Sequence, residues 1–369
     1  MAETTTTRKR VLSGMRPTGK LHLGNYMGAL KNWVGLQDKY ECYFFIADLH
    51  ALTTDYADPS GIKQNTLDVT LDFLAAGLDP EKSVIFVQSH VPQHAELFAL
   101  FSMFTPLGWL ERVPTYKDQQ EQLKEKDLNT YGFLGYPLLM SADILLYQPK
   151  FVPVGLDQTA HVEVTREIAR RFNGIYRHVQ QVDWRSLTDA QKESLRKEGR
   201  EIVPNATYAF YPAEVLPEPD VLLTPSPKLP GIDGRKMSKS YGNTILLSES
   251  EADIRAKLKT MVTDPARVRR TDAGNPEVCP VGDLHKVFSS DETRLKVWEG
   301  CTTAGIGCIE CKSWVADGVI AELRPIQERR KKYEANPGLV TEILAAGKEK
   351  AAARAEQTMT EVRAAMGLS

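Results

Sequence analysis

Two short segments of the chain concentrate groups suited to binding phosphate. The first is SGMRPTGKLHLGN, residues 13–25. Gly14 and Gly19 permit sharp backbone turns, and Gly24 lets a flat ring or a phosphate approach the main chain. His22 and Asn25 can donate hydrogen bonds to phosphate oxygens, and the N-terminus of a following helix favours anions. The second is GRKMSKSYGN, residues 234–243, in which Lys236 and Lys239 flank a small polar segment. The Walker A spacing GxxxxGK[ST] is absent. Taken singly, the first segment also reads as an ordinary strand-to-helix turn and the second as a solvated basic loop.

A third group is made of thiols. Cys279, Cys301, Cys308 and Cys311 follow the spacing C-x21-C-x6-C-x2-C and account for all but one of the chain's five cysteines. Four thiolates complete a tetrahedral zinc site or hold a [4Fe–4S] cluster, and spacing alone does not choose between them. Four reduced structural cysteines are the plainer alternative. Cys42 falls in an apolar run and reads as a core residue.

The elements that must position these groups alternate. Residues 11–14 form a first strand, and YMGALKNWVGLQ has apolar residues at helical spacing. ECYFFIADLHAL reads as a second strand running into a loop. A helix starts at Asp58-Pro59 and is stopped by Gly77 and Pro80, and SVIFVQS is a third strand. This alternation predicts an α/β fold with a doubly wound parallel sheet, whose binding crevice lies at the C-terminal ends of the strands. YPLLMSADILLY then reads as a helix, FVPVGLDQ as a short strand and turn, and HVEVTREIARRF as an amphipathic helix. Asp143 lies within an otherwise apolar helix and needs a partner. Tyr136 and Met140 share its face, where core packing is the alternative to lining a pocket.

Residues 179–230 are polar and then Pro-rich, and read as an insertion with surface loops. From residue 248 helical patterns dominate. The expected organisation is a disordered tail over 1–10, a catalytic domain over 11–247 and an α-helical domain over 248–369. Apolar residues make up 42% of the 369-residue chain and the net charge is -2, which allows a sizeable core and neither demands nor excludes nucleic acid. No run approaches the roughly 20 apolar residues of a membrane span, and the polar N-terminus lacks a signal-peptide core. A cytoplasmic protein without structural disulfides is expected.

HLGN near the start and KMSKS in the second half resemble the two signatures of class I aminoacyl-tRNA synthetases. The wider text SGMRPTGKLHLGNYMGAL, ADLHALTT, YPLLMSADILLY, VPVGLDQ and KMSKSYGN is similar to bacterial tryptophanyl-tRNA synthetases over nearly the whole chain. That resemblance implies a Rossmann-type catalytic domain and two steps. L-tryptophan is activated by ATP, with Mg2+, to tryptophanyl-adenylate and pyrophosphate, and is then passed to the terminal adenosine of tRNA(Trp). It implies catalytic roles for His22, Asn25, Lys236 and Lys239. ATP would be bound by Arg16, Pro17, Thr18, Gly24, Asn25, Gly155, Leu156 and Asp157, and by the run Lys236, Met237, Ser238, Lys239 and Ser240. Tryptophan would be bound by His50, Tyr136, Met140, Asp143 and Gln158, with Asp143 accepting the indole N–H and Gln158 the ammonium.

The text NPEVCPV and WEGCTTAGIGCIECK resembles a subset of these enzymes that carries a [4Fe–4S] cluster beside the anticodon-binding surface; zinc is the alternative occupant of the four cysteines. Lys312 and the run DPARVRRTD, with Arg267, Arg269 and Arg270, are candidate phosphate contacts there. The resemblance also implies a homodimer. Two departures stand out. Many tryptophan enzymes carry Gln, Ser and Thr where this chain has Arg16, Thr18 and His22, and the segment 179–230 is longer than the family pattern requires. The competing functions are tyrosine–tRNA ligase, which tends to carry Gln where Met140 stands, a plain nucleotidyltransferase, and a catalytically silent relative that binds tRNA or senses iron.

Overall fold

The computed structural model describes residues 8–114, 116, 127–176, 178–197, 208–223 and 229–368. Five parallel strands form the central sheet in the order β3-β2-β1-β4-β7. They are β1 (Arg10–Met15), β2 (Glu41–Ile46), β3 (Ser83–Val87), β4 (Phe151–Val154) and β7 (Asp220–Leu223). β1 and β2 run in register from Arg10 opposite Glu41 to Met15 opposite Ile46. Strands of a parallel sheet are covered on both faces, which is why β2 reads ECYFFI without polar alternation. Alternate residues divide between two cores: Cys42, Phe44 and Ile46 face one, Tyr43 and Phe45 the other.

Four expectations are revised. Residues 220–223, read as surface loop, form the edge strand β7, because a short DVLL run pairs with β4 from Asp220 opposite Phe151 to Leu223 opposite Val154. The rest of the supposed insertion carries an antiparallel hairpin, β5 (His178–Asp183) with β6 (Tyr208–Ala213), and a helix over Asp189–Lys197. The loop expected after β2 is a helix, Asp48–Asp55. Arg10, assigned to the tail, opens β1 and is tied to Glu41 and to the Tyr147 carbonyl; residues 1–7 of that tail lie outside the described residues.

The first helix starts earlier than its periodicity suggests. It begins at Leu23, widens to a π-turn over Tyr26–Leu30 and continues as α-helix over Lys31–Leu36. The helix expected after Asp58-Pro59 spans Ile62–Ala76 and ends, as expected, at Gly77, whose φ of 114° suits glycine.

The helices after residue 250 are built onto the sheet. Val319, Leu323 and Ile326 of the Cys308–Glu334 helix join Trp33, Phe44 and Phe73 in one core. Ala351, Ala355 and Met359 of the Pro337–Ala365 helix join Phe86, Tyr147 and Phe172 in the other. That last helix lies against the edge strand β3, where a Cβ on Gly347 would stand 1.8 Å from the Ile85 carbonyl oxygen. Covering an edge strand this closely removes a template for pairing with another chain. No helix among the described residues is long and apolar enough to cross a membrane. Gly347→Ala is expected to destabilise the fold by about 1–3 kcal/mol through overpacking; a chemical denaturation midpoint equal to the parent's would refute the close approach.

Candidate active site

The chain leaves β1 for β2 and β3 on one side, then returns to the other side as β4, so the order in which strands are added reverses between β1 and β4. Loops from the C-terminal ends of the strands meet at such a point. β1 delivers residues 16–25, β2 delivers Asp48 and His50, β3 delivers Gln88, and β4 delivers residues 155–158.

In the loop after β1, His22 caps the helix that begins at Leu23. Its Nδ1 accepts from the Asn25 backbone N–H at 3.3 Å, and Asn25 Oδ1 accepts from the His22 backbone N–H at 3.1 Å. Burial, with Lys239 and Lys236 adding to it, pushes the His22 pKa down to about 4. The ring is therefore neutral at pH 7, and with Nδ1 occupied as acceptor its proton sits on Nε2. His22 can then donate to an oxygen while Asn25 keeps its side-chain N–H groups. The flat ring that Gly24 admits is that of His22 itself, since a Cβ on Gly24 would lie 2.9 Å from it. Gly14 makes no turn: it lies in β1, and a Cβ there would meet the Phe45 ring at 2.4 Å. Gly19, at φ 105°, is the residue that turns.

The lysine segment folds over this loop. Lys239 Nζ donates to the Gly19 carbonyl at 2.7 Å and lies 3.4 Å from Thr18 Oγ1. Burial lowers its ammonium pKa to about 8, with Asp72 and Asp68 opposing the shift. Lys236 and Ser240 are exposed, Ser238 is half-buried, and Met237 turns its side chain into the core instead of toward a nucleotide. The buried Asn243 holds the segment: its Oδ1 accepts from the Ser238 N–H at 2.8 Å, and its Nδ2 donates to Asp233 at 2.7 Å.

Asp143 sits deepest, 1% exposed. Its Oδ1 accepts from Gln88 at 2.7 Å and pairs with His94 Nδ1 at 2.6 Å; its Oδ2 pairs with His50 Nε2 at 2.8 Å. Burial alone would raise this carboxyl, but the bonds from His50 and His94 outweigh it and hold the pKa at about 2. His94 in turn meets the Tyr147 hydroxyl at 2.8 Å. Sequence reasoning missed Gln88 and His94. Their signal was the polar QSHVPQH run following an apolar strand. Tyr136 packs beside Phe133 and His161, and Met140 is half-buried.

Arg16 is tied to the helix that follows β2. Its Nη2 donates to Thr54 Oγ1 at 2.5 Å, and burial lowers its pKa while Asp55 and Tyr136 oppose this. Its Nε is buried with no hydrogen-bond partner. Pro17 is buried and Thr18 exposed. Gly155 and Leu156 open a 3-10 turn that ends at Gln158, with Leu156 largely exposed; the Asp157 side chain lies outside the described residues.

The four cysteines form a second centre. Cys279 caps the Pro280–Phe288 helix, while Cys308 and Cys311 lie in the first turn of the Cys308–Glu334 helix. Helix N-termini favour thiolates. Cys301 Sγ accepts from Arg267 at 3.6 Å, and Cys311 Sγ lies 3.3 Å from His285 Nε2. Burial, reinforced by the other three thiols, pushes the Cys311 pKa up to about 12. Among the described residues, no three His, Cys, Asp or Glu side chains gather as ligands of a single metal ion. Two of the expected phosphate contacts are corrected. Arg267 is buried and donates to the Ile306 carbonyl at 2.5 Å, and Lys312 is buried and donates to the Lys259 carbonyl at 3.0 Å. Arg270 is tied to the carbonyls of Ala304 and Gly305, and Arg269 is exposed.

A family model described as tRNA synthetases class I (W and Y) matches residues 4–324, and the chain belongs to that family. Its similarity is to the tryptophan enzymes. It is 51% identical to the tryptophan–tRNA ligase of Ralstonia nicotianae over 98% of this chain and 99% of the relative. It is 50% identical to that of Thermotoga maritima over 97% and 99%. Among solved structures, tryptophanyl-tRNA synthetase from Campylobacter jejuni, complexed with ADP and tryptophan, matches with a TM-score of 0.79 at 32% identity. The match covers 97% of this chain and 100% of that one.

The His22 pKa carries a sign that can be checked. Its folded value lies below the ordinary 6.5, so the unfolded chain binds the proton first and stability is lost as pH falls from about 6.5 toward 4. His22→Asn, which retains a capping side chain, should lose less stability than the parent between pH 7 and pH 4.5 in urea denaturation. Equal losses would show that His22 is not buried neutral.

Proposed function

We propose that this chain activates L-tryptophan with ATP and transfers it to tRNA(Trp), and that the cleft residues divide the work as follows. ATP enters as its Mg2+ complex. His22 Nε2–H and the Asn25 side-chain N–H groups donate to phosphate oxygens, beside the N-terminus of the Leu23 helix. Lys239, now resting on Gly19, exchanges that carbonyl for the β- and γ-phosphates, and the exposed Lys236 closes over them. The tryptophan carboxylate attacks the α-phosphorus, the bond to the bridging oxygen breaks, and pyrophosphate leaves with its added charge met by the two lysines. The 3′-terminal adenosine hydroxyl of the tRNA then attacks the activated carbonyl, and AMP departs. Gly155, Leu156 and Asp157 lie on the ATP side, together with Thr18, Ser238 and Ser240.

The single observation that carries the amino-acid assignment is the Asp143 carboxylate. It is ionised, buried and held by three donors, yet Oδ2 has only one of them and can accept the indole N–H. Met140 and Tyr136 bound the ring, and Gln158 takes the ammonium. The partnerless Nε of Arg16 suits the substrate carboxylate better than the phosphates, which moves Arg16 from the nucleotide to the amino acid.

At the second centre the four cysteines are read as ligands of a [4Fe–4S] cluster; what supports this over zinc is the resemblance of the C-x21-C-x6-C-x2-C text to the cluster-bearing subset, since both occupants take four thiolates. The helix starts at Cys279, Cys308 and Cys311 and the neighbouring Arg267 and Lys312 oppose the burial that raises the thiols, which supports a thiolate ligand set. Cys279, Cys301, Cys308 and Cys311 would hold it, and its part is to shape residues 248–369 for the anticodon arm, apart from adenylate chemistry. The enzyme acts as a homodimer in the cytoplasm.

Asp143→Asn should reduce tryptophan-dependent ATP–pyrophosphate exchange at least about tenfold by disturbing the indole acceptor; exchange at the parent rate would sink the assignment. Anaerobically purified protein is expected to contain iron and labile sulfide in about fourfold stoichiometry with a broad visible band. One zinc per chain and no sulfide would replace the cluster with a structural zinc.

A further inference from the structure

One stretch of the Cys308–Glu334 helix reaches the chain beside both signature segments, through Asp72 to the first and directly to the residues after the second. Arg330, 4% exposed, donates through Nη2 to Asp68 at 2.9 Å, through Nη1 to Asp72, and through Nε to Glu334 at 2.7 Å. Asp72 is fully buried, and its other carboxylate oxygen accepts the backbone N–H of Leu21 at 2.8 Å. Leu21 immediately precedes His22. One turn earlier on the same helix, Gln327 Nε2 donates to the carbonyls of Leu247 at 3.0 Å and Glu249 at 2.8 Å. Leu247 in turn donates its N–H to the Leu21 carbonyl at 2.9 Å, and Leu23 donates to the Ile245 carbonyl at 3.0 Å. Residues 245–247 directly follow the lysine segment. A turn further back, Glu322 accepts from the Tyr26 hydroxyl at 3.0 Å and from Lys31 at 2.7 Å.

We infer that Asp72, Gln327 and Arg330 are positioning residues for adenylate formation, which fix the loop of His22 and the chain following Lys239 on one rigid strut. The geometry separates this from plain packing. Asp72 uses one oxygen for Arg330 and the other for a main-chain N–H whose neighbour is a catalytic side chain. An unpaired buried carboxylate would be costly, so Arg330 is what allows Asp72 to be there. The strut begins at Cys308, so the four-cysteine centre and both signatures share one continuous helix. A displacement of the His22 loop by a fraction of an ångström would misplace the donors from the α-phosphate without touching the tryptophan pocket.

This rests on the tryptophan–tRNA ligase reading, and the parent's tryptophan-dependent ATP–pyrophosphate exchange is therefore measured alongside. A parent without exchange overturns that reading; an active parent makes the variants decisive. The double variant Asp72→Leu with Arg330→Met removes this ion pair as a unit, an exchange that folded proteins often tolerate, and leaves Asp68 without its arginine. It is expected to fold but melt below the parent, to lose about tenfold to a hundredfold in kcat, and to keep KM for tryptophan within about twofold. Asp72→Asn retains an oxygen for the Leu21 N–H and should recover most of the lost kcat even if it melts lower. Should the double variant fail to fold, Gln327→Ala, which loses only the Leu247 and Glu249 contacts, supplies the same readout: a lowered kcat at unchanged KM for tryptophan. A folded double variant, or a folded Gln327→Ala, with parental kcat overturns the inference. So does an Asp72→Asn enzyme whose kcat falls as far as that of the double variant.

Discussion

Parallel strands all end on the same side of their sheet, and this directional constraint decides where chemistry can happen in the molecule. Each of β1 to β4 has its C-terminal end at the cleft, so residues far apart in the chain arrive together. His22, His50, Gln88 and the 155–158 turn each follow a different strand by only a few residues. The reversal between β1 and β4 opens the space they surround. The two apolar cores on the faces of the sheet then make the strand ends rigid, and the loops inherit that rigidity.

Within the cleft, burial and charge are balanced group by group. Asp143 would be neutral in an apolar setting, but two imidazoles and an amide keep it ionised. His22 takes the opposite course: burial and two nearby lysines strip its proton, leaving a donor of known orientation. Lys239 is partly desolvated and rests on a neutral carbonyl, which a phosphate oxygen would displace with a gain in charge pairing. Each group is therefore held in a charge state that suits the adenylate chemistry proposed for it.

Much of this was legible in the residues. The alternation of strands and helices gave the doubly wound sheet, and the two motifs led to the cleft through their resemblance to the synthetase signatures, since each taken singly also reads as an ordinary loop. Asp143 stood out as a carboxylate in an apolar helix. Its partners did not, because Gln88 and His94 lie on other elements and only the tertiary fold brings them near. β7 was hidden for a similar reason: four residues in a Pro-rich stretch have no periodicity, and their strand state comes from pairing with β4. Arg267 and Lys312 looked like surface cations by residue type. Their side chains instead turn inward to the backbone carbonyls of Ile306 and Lys259, which charge counting cannot reveal.

The π-turn at Tyr26–Leu30 has a geometric consequence of its own. An α-helix advances about 100° per residue, and a π-turn holds one residue more than the α-turn it replaces. The helical face that precedes it is thereby set out of phase with the face that follows. His22 and Asn25 can look into the cleft while Trp33 stacks on Phe44 in the core, 4.9 Å between ring centroids. The turn takes up its extra residue locally, so a segment one residue shorter between 26 and 30 would run as a plain α-helix and still bring the indole of Trp33 to the same slot.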